Sequence, residues 1–156
     1  MTLHPRSPGG LFDGPTHRYA VRVYYEDTDL SGIVYHANYL RWFERARSDV
    51  LRLLDIDQRA AIEAGQGAYA VADLSIRYKR PARLDDDVVI ETRCTQLKAA
   101  SVTMAQRALR QSDGAAELLC DADLRIGFVA PSGKPVRQPQ SWRAAFAPIV
   151  LQEEFA

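Results

Sequence analysis

The chain has 156 residues, enough for one domain with a substantial core. Its 20 lysines and arginines balance 20 aspartates and glutamates, so the formal net charge is zero. That balance speaks against a nucleic-acid partner, which requires a net basic face to displace counterions.

The first fifteen residues carry Pro5, Pro8, Gly9, Gly10, Gly14 and Pro15 and no apolar run of the signal-peptide kind. They read as part of a flexible leader over 1–16. Strict alternation begins at 17–25, with Tyr19, Val21, Val23 and Tyr25 on one face of a predicted strand. An acidic, glycine-containing turn follows, and Asn38 or a neighbour is placed to cap the next element. From there Tyr39, Leu40, Phe43, Ala46, Val50, Leu51 and Leu54 recur at spacings of three and four. That is one long amphipathic helix ending near Leu54.

The linking stretch 55–67 is predicted partly helical. The period then changes to two. Ala70, Ala72, Leu74, Ile76 and Tyr78 form the apolar face of a second strand that Pro81 stops. Strands follow at 88–97 and 101–111, joined by Lys98-Ala99-Ala100, and Ser112-Asp113-Gly114 forms a hairpin turn. In the fifth strand Leu118, Cys120, Ala122, Leu124, Ile126 and Phe128 point one way. A short helix is predicted over 139–146. Cys94 and Cys120 lie far apart in apolar strand patterns, with neither metal nor disulfide spacing, and read as buried and reduced. With no apolar run of membrane-spanning length, no transmembrane segment is expected and the setting expected is cytoplasmic.

One strand, a long helix, then four strands on short turns describe an α+β domain over 17–150 with a tail at 151–156. Its antiparallel five-stranded sheet is expected to wrap around one long central helix.

The chemistry-bearing stretch is Asp27-Thr28-Asp29-Leu30-Ser31-Gly32-Ile33-Val34-Tyr35-His36-Ala37-Asn38-Tyr39. A carboxylate just past a strand meets a helix start, where free N–H groups can bind an oxyanion. His36 reads as the only histidine of the folded body. Asp27 reads as a turn-shaping residue and Glu44 as a buried structural hydrogen-bonder. Arg77, Lys79, Arg80 and Arg83 form a cationic cluster with Tyr78, of the kind that meets phosphates or a solvated strand end. Asp27-Thr28-Asp29 is too short for a calcium loop, and no metal ligand set is read.

This stretch, with Phe43-Glu44-Arg45-Ala46-Arg47 behind it, resembles the hotdog-fold acyl-CoA thioesterases of the hydroxybenzoyl-CoA thioesterase type. Within them it looks most like the YbgC-like branch, associated with the Tol–Pal envelope system. The resemblance spans about 19–139. It implies Asp29 as catalytic carboxylate, nucleophile or general base, and a backbone N–H near His36 as oxyanion donor. It also implies acyl-CoA as substrate, a homodimer or homotetramer with the site at the dimer interface, and no cofactor beyond the coenzyme A of the substrate itself. Substrate contacts are assigned to Tyr25, Gly32, Val34, Tyr35, Arg77, Lys79 and Arg80. Two other readings remain beside it. One is a hotdog hydratase, against which the Asp29/His36 spacing counts. The other is an acyl-binding partner of acyl carrier protein or the envelope system without turnover.

Overall fold

The computed structural model describes residues 1–151 and Phe155, so most of the expected tail at 151–156 lies outside the described residues. The strands are β1 (Leu11–Asp13), β2 (Thr16–Arg22), β3 (Ala68–Tyr78), β4 (Asp87–Leu97), β5 (Ser101–Ser112) and β6 (Ala115–Val129). The helices are α1 (Asn38–Leu53), α2 (Gln58–Glu63) and α3 (Gln140–Phe146). All six strands form one sheet in the order β1-β2-β4-β5-β6-β3, with every neighbouring pair antiparallel.

The sheet has six strands, not five, because part of the expected leader folds. Leu11 to Asp13 pair with Thr16 to Arg18 across Gly14, which takes a positive φ of 58°. The first long strand is also shorter than the alternation suggests. It ends at Arg22, and Tyr25 to Asp27 turn into a short 3-10 helix.

Helix α1 lies along the sheet's inner face. Its first half packs Tyr39, Trp42, Phe43 and Ala46 against Val88, Ile90, Ala108 and Cys120. Its second half packs Val50 and Leu51 against Cys94, Met104, Leu124 and Phe128. Trp42 is buried while Leu40 is exposed, the reverse of the simple spacing count. Between the halves sits the fully buried Gln106 amide. It donates to the Phe43 carbonyl at 3.0 Å and the Thr92 hydroxyl at 2.9 Å, and accepts from Arg47 at 2.9 Å. An amide satisfied on three sides ties helix to sheet without an orphaned buried group. Burial pushes the thiols of Cys94 and Cys120 up to about 12, and both are free.

Register irregularities interrupt three strand pairings, at Ala72 on β3, Thr95 on β4 and Leu119 on β6, and each shifts which side chains face inward. An extra residue at Ala72 puts Tyr69 on the core side before the bulge, and Leu74 and Ile76 after it. Ala70 and Ala72, expected inside, are exposed. On β6 the irregularity at Leu119 buries that residue, leaving Leu118 only partly covered. The freed Leu119 carbonyl accepts the N–H groups of both Lys79 and Arg80, at 2.8 and 3.0 Å. A bulge changes side-chain phase because two residues oppose one.

His36 is not the only histidine of the folded body: His17, at the start of the expected first strand, is fully buried. It shares the parity of Tyr19, Val21 and Val23, so it faces the core. Its Nε2 lies 2.6 Å from the Asp49 carboxylate on α1, which also accepts the Gly10 N–H at 2.9 Å. Burial lowers the His17 pKa from its ordinary value, against the opposing pull of Asp49. Its Nδ1 has no acceptor among the described residues, so protonation would bury an unsatisfied N–H. Unfolded His17 takes up a proton below about pH 6.5, whereas folded His17 resists it. This contribution to stability is therefore full above about pH 6.5 and declines as pH falls through that value. The melting temperature is expected to drop from about pH 7.5 to about 5.5, and the His17→Gln protein to show a flatter profile. Equal slopes in the two proteins would show that His17 does not couple to pH.

Candidate active site

The strand-to-helix connection is organised by Asp27. Its buried carboxylate accepts the Tyr24 N–H at 2.7 Å and the Asn38 side-chain N–H at 2.7 Å. Its carbonyl accepts the Tyr35 N–H at 2.9 Å. Asp27 thus joins both arms of the loop to the start of α1, the structural role expected of it. Asn38 reaches back to that carboxylate and makes no side-chain cap of its own.

The loop closes through a bridge between Thr28 and Val34. The Asp29 N–H donates to the Ile33 carbonyl at 2.9 Å, and the Gly32 N–H to the Asp29 carbonyl at 3.0 Å. Gly32 has φ +82°, a left-handed conformation that costs glycine little. Asp29 Oδ1 accepts the Ser31 N–H at 2.8 Å and the Ser31 hydroxyl, an Asx turn. Those bonds, the Ser31 hydroxyl first, hold the Asp29 carboxyl below the usual carboxylate range, with a smaller pull from the Ile33 N–H. Asp29 is exposed, and its Oδ2 has no hydrogen-bond partner among the described residues. It is an anion with one unengaged oxygen.

The start of α1 offers the complementary groups. No side chain caps it. The Tyr35 carbonyl accepts the Asn38 N–H at 2.8 Å, and the His36 carbonyl accepts the Tyr78 hydroxyl at 2.7 Å. The N–H groups of His36 and Ala37 have no acceptor among the described residues. Open donors at a helix N-terminus favour negative charge. The exposed His36 ring lies against Tyr35, with centroids 4.6 Å apart.

Tyr25, Gly32, Val34 and Tyr35 share this loop with Asp29 and His36. Tyr25 is exposed on the short 3-10 helix, and Val34 is buried with its N–H on the Ala82 carbonyl at 2.9 Å. Arg77, Lys79 and Arg80 lie at the end of β3 and beyond. Arg77 is paired with Asp121 and Asp123, and Arg80 with Glu117. Lys79 and Arg83 make no side-chain ion pair among the described residues, so they are the cluster's unengaged cations. Glu44 is exposed on α1 and not the buried hydrogen-bonder expected. Asp49 fills that role, because its position on the helix faces His17. The bond from Tyr78 to His36 joins residues 42 apart in sequence, and no local pattern signals it. Among the described residues no three His, Cys, Asp or Glu side chains cluster as metal ligands.

A family model described as the thioesterase superfamily matches residues 31–117. The chain belongs to the thioesterase superfamily. This superfamily member is 41% identical over 129 residues to the acyl-CoA thioesterase YbgC of Haemophilus influenzae, covering 82% of this chain and 92% of that protein. It superposes with TM-score 0.77 and 26% identity on a 1,4-dihydroxy-2-naphthoyl-CoA thioesterase, Slr0204, from Synechocystis, covering 84% of this chain and 95% of that one. The 4-hydroxybenzoyl-CoA thioesterase of Pseudomonas sp. strain CBS-3 matches with TM-score 0.75 over 83% of this chain and 98% of its own length. At 21% identity that last likeness speaks to fold, and the fold is the hotdog α+β arrangement. The family match begins two residues beyond Asp29, so the case for that carboxylate rests on geometry.

Proposed function

We propose that this superfamily member is an acyl-CoA thioesterase that cleaves the thioester to a free acid and coenzyme A, using Asp29. The supporting observation is a carboxylate with a free oxygen on the same loop-to-helix unit as two unengaged N–H groups, those of His36 and Ala37. Asp29 attacks the carbonyl to form an anhydride that water opens, or it takes a proton from the attacking water. In either route the carbonyl oxygen becomes an oxyanion that the N–H groups stabilise. Collapse expels the coenzyme A thiolate, which takes up a proton. His36, an exposed imidazole at the same helix start, is placed to donate it.

The reading extends to a homodimer or homotetramer with the site at a subunit boundary. Strand β3 is a sheet edge with an open ladder, and Asp29 stands exposed in the single chain. A second copy would cover both, completing the sheet and removing water from the carboxylate. Among the described residues no helix is long and apolar enough to cross a membrane. Two free buried cysteines fit a reducing cytoplasm. Acyl carrier protein is a further acyl donor to test.

Thiol release from acyl-CoAs of short, long and aromatic chains tests the function. Release from at least one class supports it. No release from any, alongside binding of acylated carrier protein without turnover, would replace hydrolysis with a binding role. The His36→Ala protein is expected to turn over roughly tenfold to a thousandfold more slowly. An unchanged rate would leave His36 a helix-start residue only.

A further inference from the structure

We propose that Tyr78 is a positioning residue for the hydrolytic step: its hydroxyl pins the His36–Ala37 peptide unit so that the Ala37 N–H remains a second oxyanion donor beside that of His36. The proposal rests on the thioesterase reading and deepens it.

The argument starts from what an α-helix would do at this point. A helix running back through His36 would aim the Leu40 N–H at the His36 carbonyl, four residues earlier. Here the Leu40 N–H bonds to the Ala37 carbonyl instead, at 3.2 Å. The His36 carbonyl is taken by the Tyr78 hydroxyl at 2.7 Å. A peptide unit is planar, and the described residues contain no cis bond. Fixing the carbonyl therefore fixes the N–H on the opposite side of the same unit, that of Ala37. The preceding unit is fixed in the same way, because the Asn38 N–H holds the Tyr35 carbonyl at 2.8 Å and leaves the His36 N–H open. Two successive peptide units thus have held carbonyls and free N–H groups. One is held by the turn itself and the other by a side chain from the far edge of the sheet. A hydrogen bond to the carbonyl also polarises the unit and strengthens its N–H as a donor.

Tyr78 is suited to hold still. Its backbone is paired with Cys120 on β6. Its ring meets Tyr39 edge-on with centroids 5.8 Å apart, and His36 at 6.2 Å. Tyr39 is itself buried, with its hydroxyl accepting the Ala82 N–H at 3.1 Å. Partial burial holds the Tyr78 phenol above its ordinary pKa, so it stays a donor at neutral pH. Without the hydroxyl, the His36 carbonyl is free to draw in the Leu40 N–H and turn the Ala37 N–H away.

The test compares wild type, Tyr78→Phe, Tyr78→Leu and Asp29→Asn in steady-state acyl-CoA hydrolysis and thermal unfolding. Tyr78→Phe keeps the ring and loses only the donor. Its kcat is expected to fall about five- to tenfold, with KM within about twofold and the melting temperature within about 2 °C. Tyr78→Leu is expected to lose at least as much kcat. Wild-type kcat in Tyr78→Phe, or a loss seen only in Tyr78→Leu, would reduce Tyr78 to ring packing and overturn the proposal. A change in KM or melting temperature with no separate fall in kcat would do the same. Asp29→Asn separates the two levels. If it is inactive while Tyr78→Phe is normal, the positioning role alone fails; if it is fully active, the site reading fails as well.

Discussion

Asp29→Asn is expected to slow acyl-CoA hydrolysis roughly a thousandfold or more with little change in stability. The substitution is nearly isosteric. The carbonyl oxygen of the introduced amide can accept both bonds that Asp29 Oδ1 accepts from Ser31, and the amide nitrogen replaces an oxygen that has no partner among the described residues. The loop keeps its Ile33 and Gly32 backbone bonds, so the melting temperature should stay within about 2 °C of wild type. What disappears is the negative charge and the nucleophilic lone pair, which both chemical routes require. Because the Ser31 bonds hold the carboxyl below its usual range, Asp29 is an anion throughout the neutral region. The variant's deficit should accordingly be constant there rather than shrinking as pH falls. The measurement is thiol release under saturating substrate, with urea unfolding as the folding control. Turnover near the wild-type rate would remove Asp29 from the mechanism.

Asp49→Ala is expected to cost about 3 kcal/mol of stability, and roughly 10 °C in melting temperature, while sparing the chemistry. Truncation strands two donors at once, the fully buried His17 Nε2 and the part-buried Gly10 N–H. Neither can find water cheaply, since His17 is fully buried and an added methyl at Gly10 would stand 2.4 Å from the Arg18 carbonyl. The lost anchor also helps tie the β1–β2 hairpin to α1, beside the packing of Phe12, Tyr19 and Val21. Asp49 sits 11 residues beyond Asn38, about 16 Å along the helix axis, so Asp29 and His36 are not disturbed directly. Urea unfolding measures the cost, and kcat measured well below the melting point measures the separation. A loss under about 1 kcal/mol would show that the pair is marginal, because its desolvation offsets its attraction.

These two aspartates show what local pattern can and cannot decide. The period of two in β3 to β6 and the period near 3.6 in α1 reflect which side chains meet water, so the α+β order was readable. The loop from Asp27 to Asn38 was readable because its bonds are short-range. Thr28 faces Val34, Asp29 bonds Ser31 and Asp27 bonds Asn38, all within 11 residues. The bulges were not readable. A one-residue slip at Ala72 or Leu119 answers to the partner strand, and alternation carries no mark of it.

Sequence by itself determined the element order from β2 onward, the helix that fills the sheet, and the placing of Asp29 and His36 at one strand-to-helix junction. Tertiary structure alone decided which carboxylates are structural and which is free. Asp49 is buried because His17, 32 residues earlier, comes to rest beneath α1, while Glu44 on the same helix faces water. Arg77 and Arg80 are engaged because β6 lays Asp121, Asp123 and Glu117 beside them. Tyr78 reaches the His36 carbonyl because β3, from the middle of the chain, lies at the sheet's far edge beside the last strand, β6. The physical reason is common to all three. Spacing along a chain reports the faces of a helix or strand, whereas a buried pair or a long-range hydrogen bond depends on strand order and register, which no local stretch encodes.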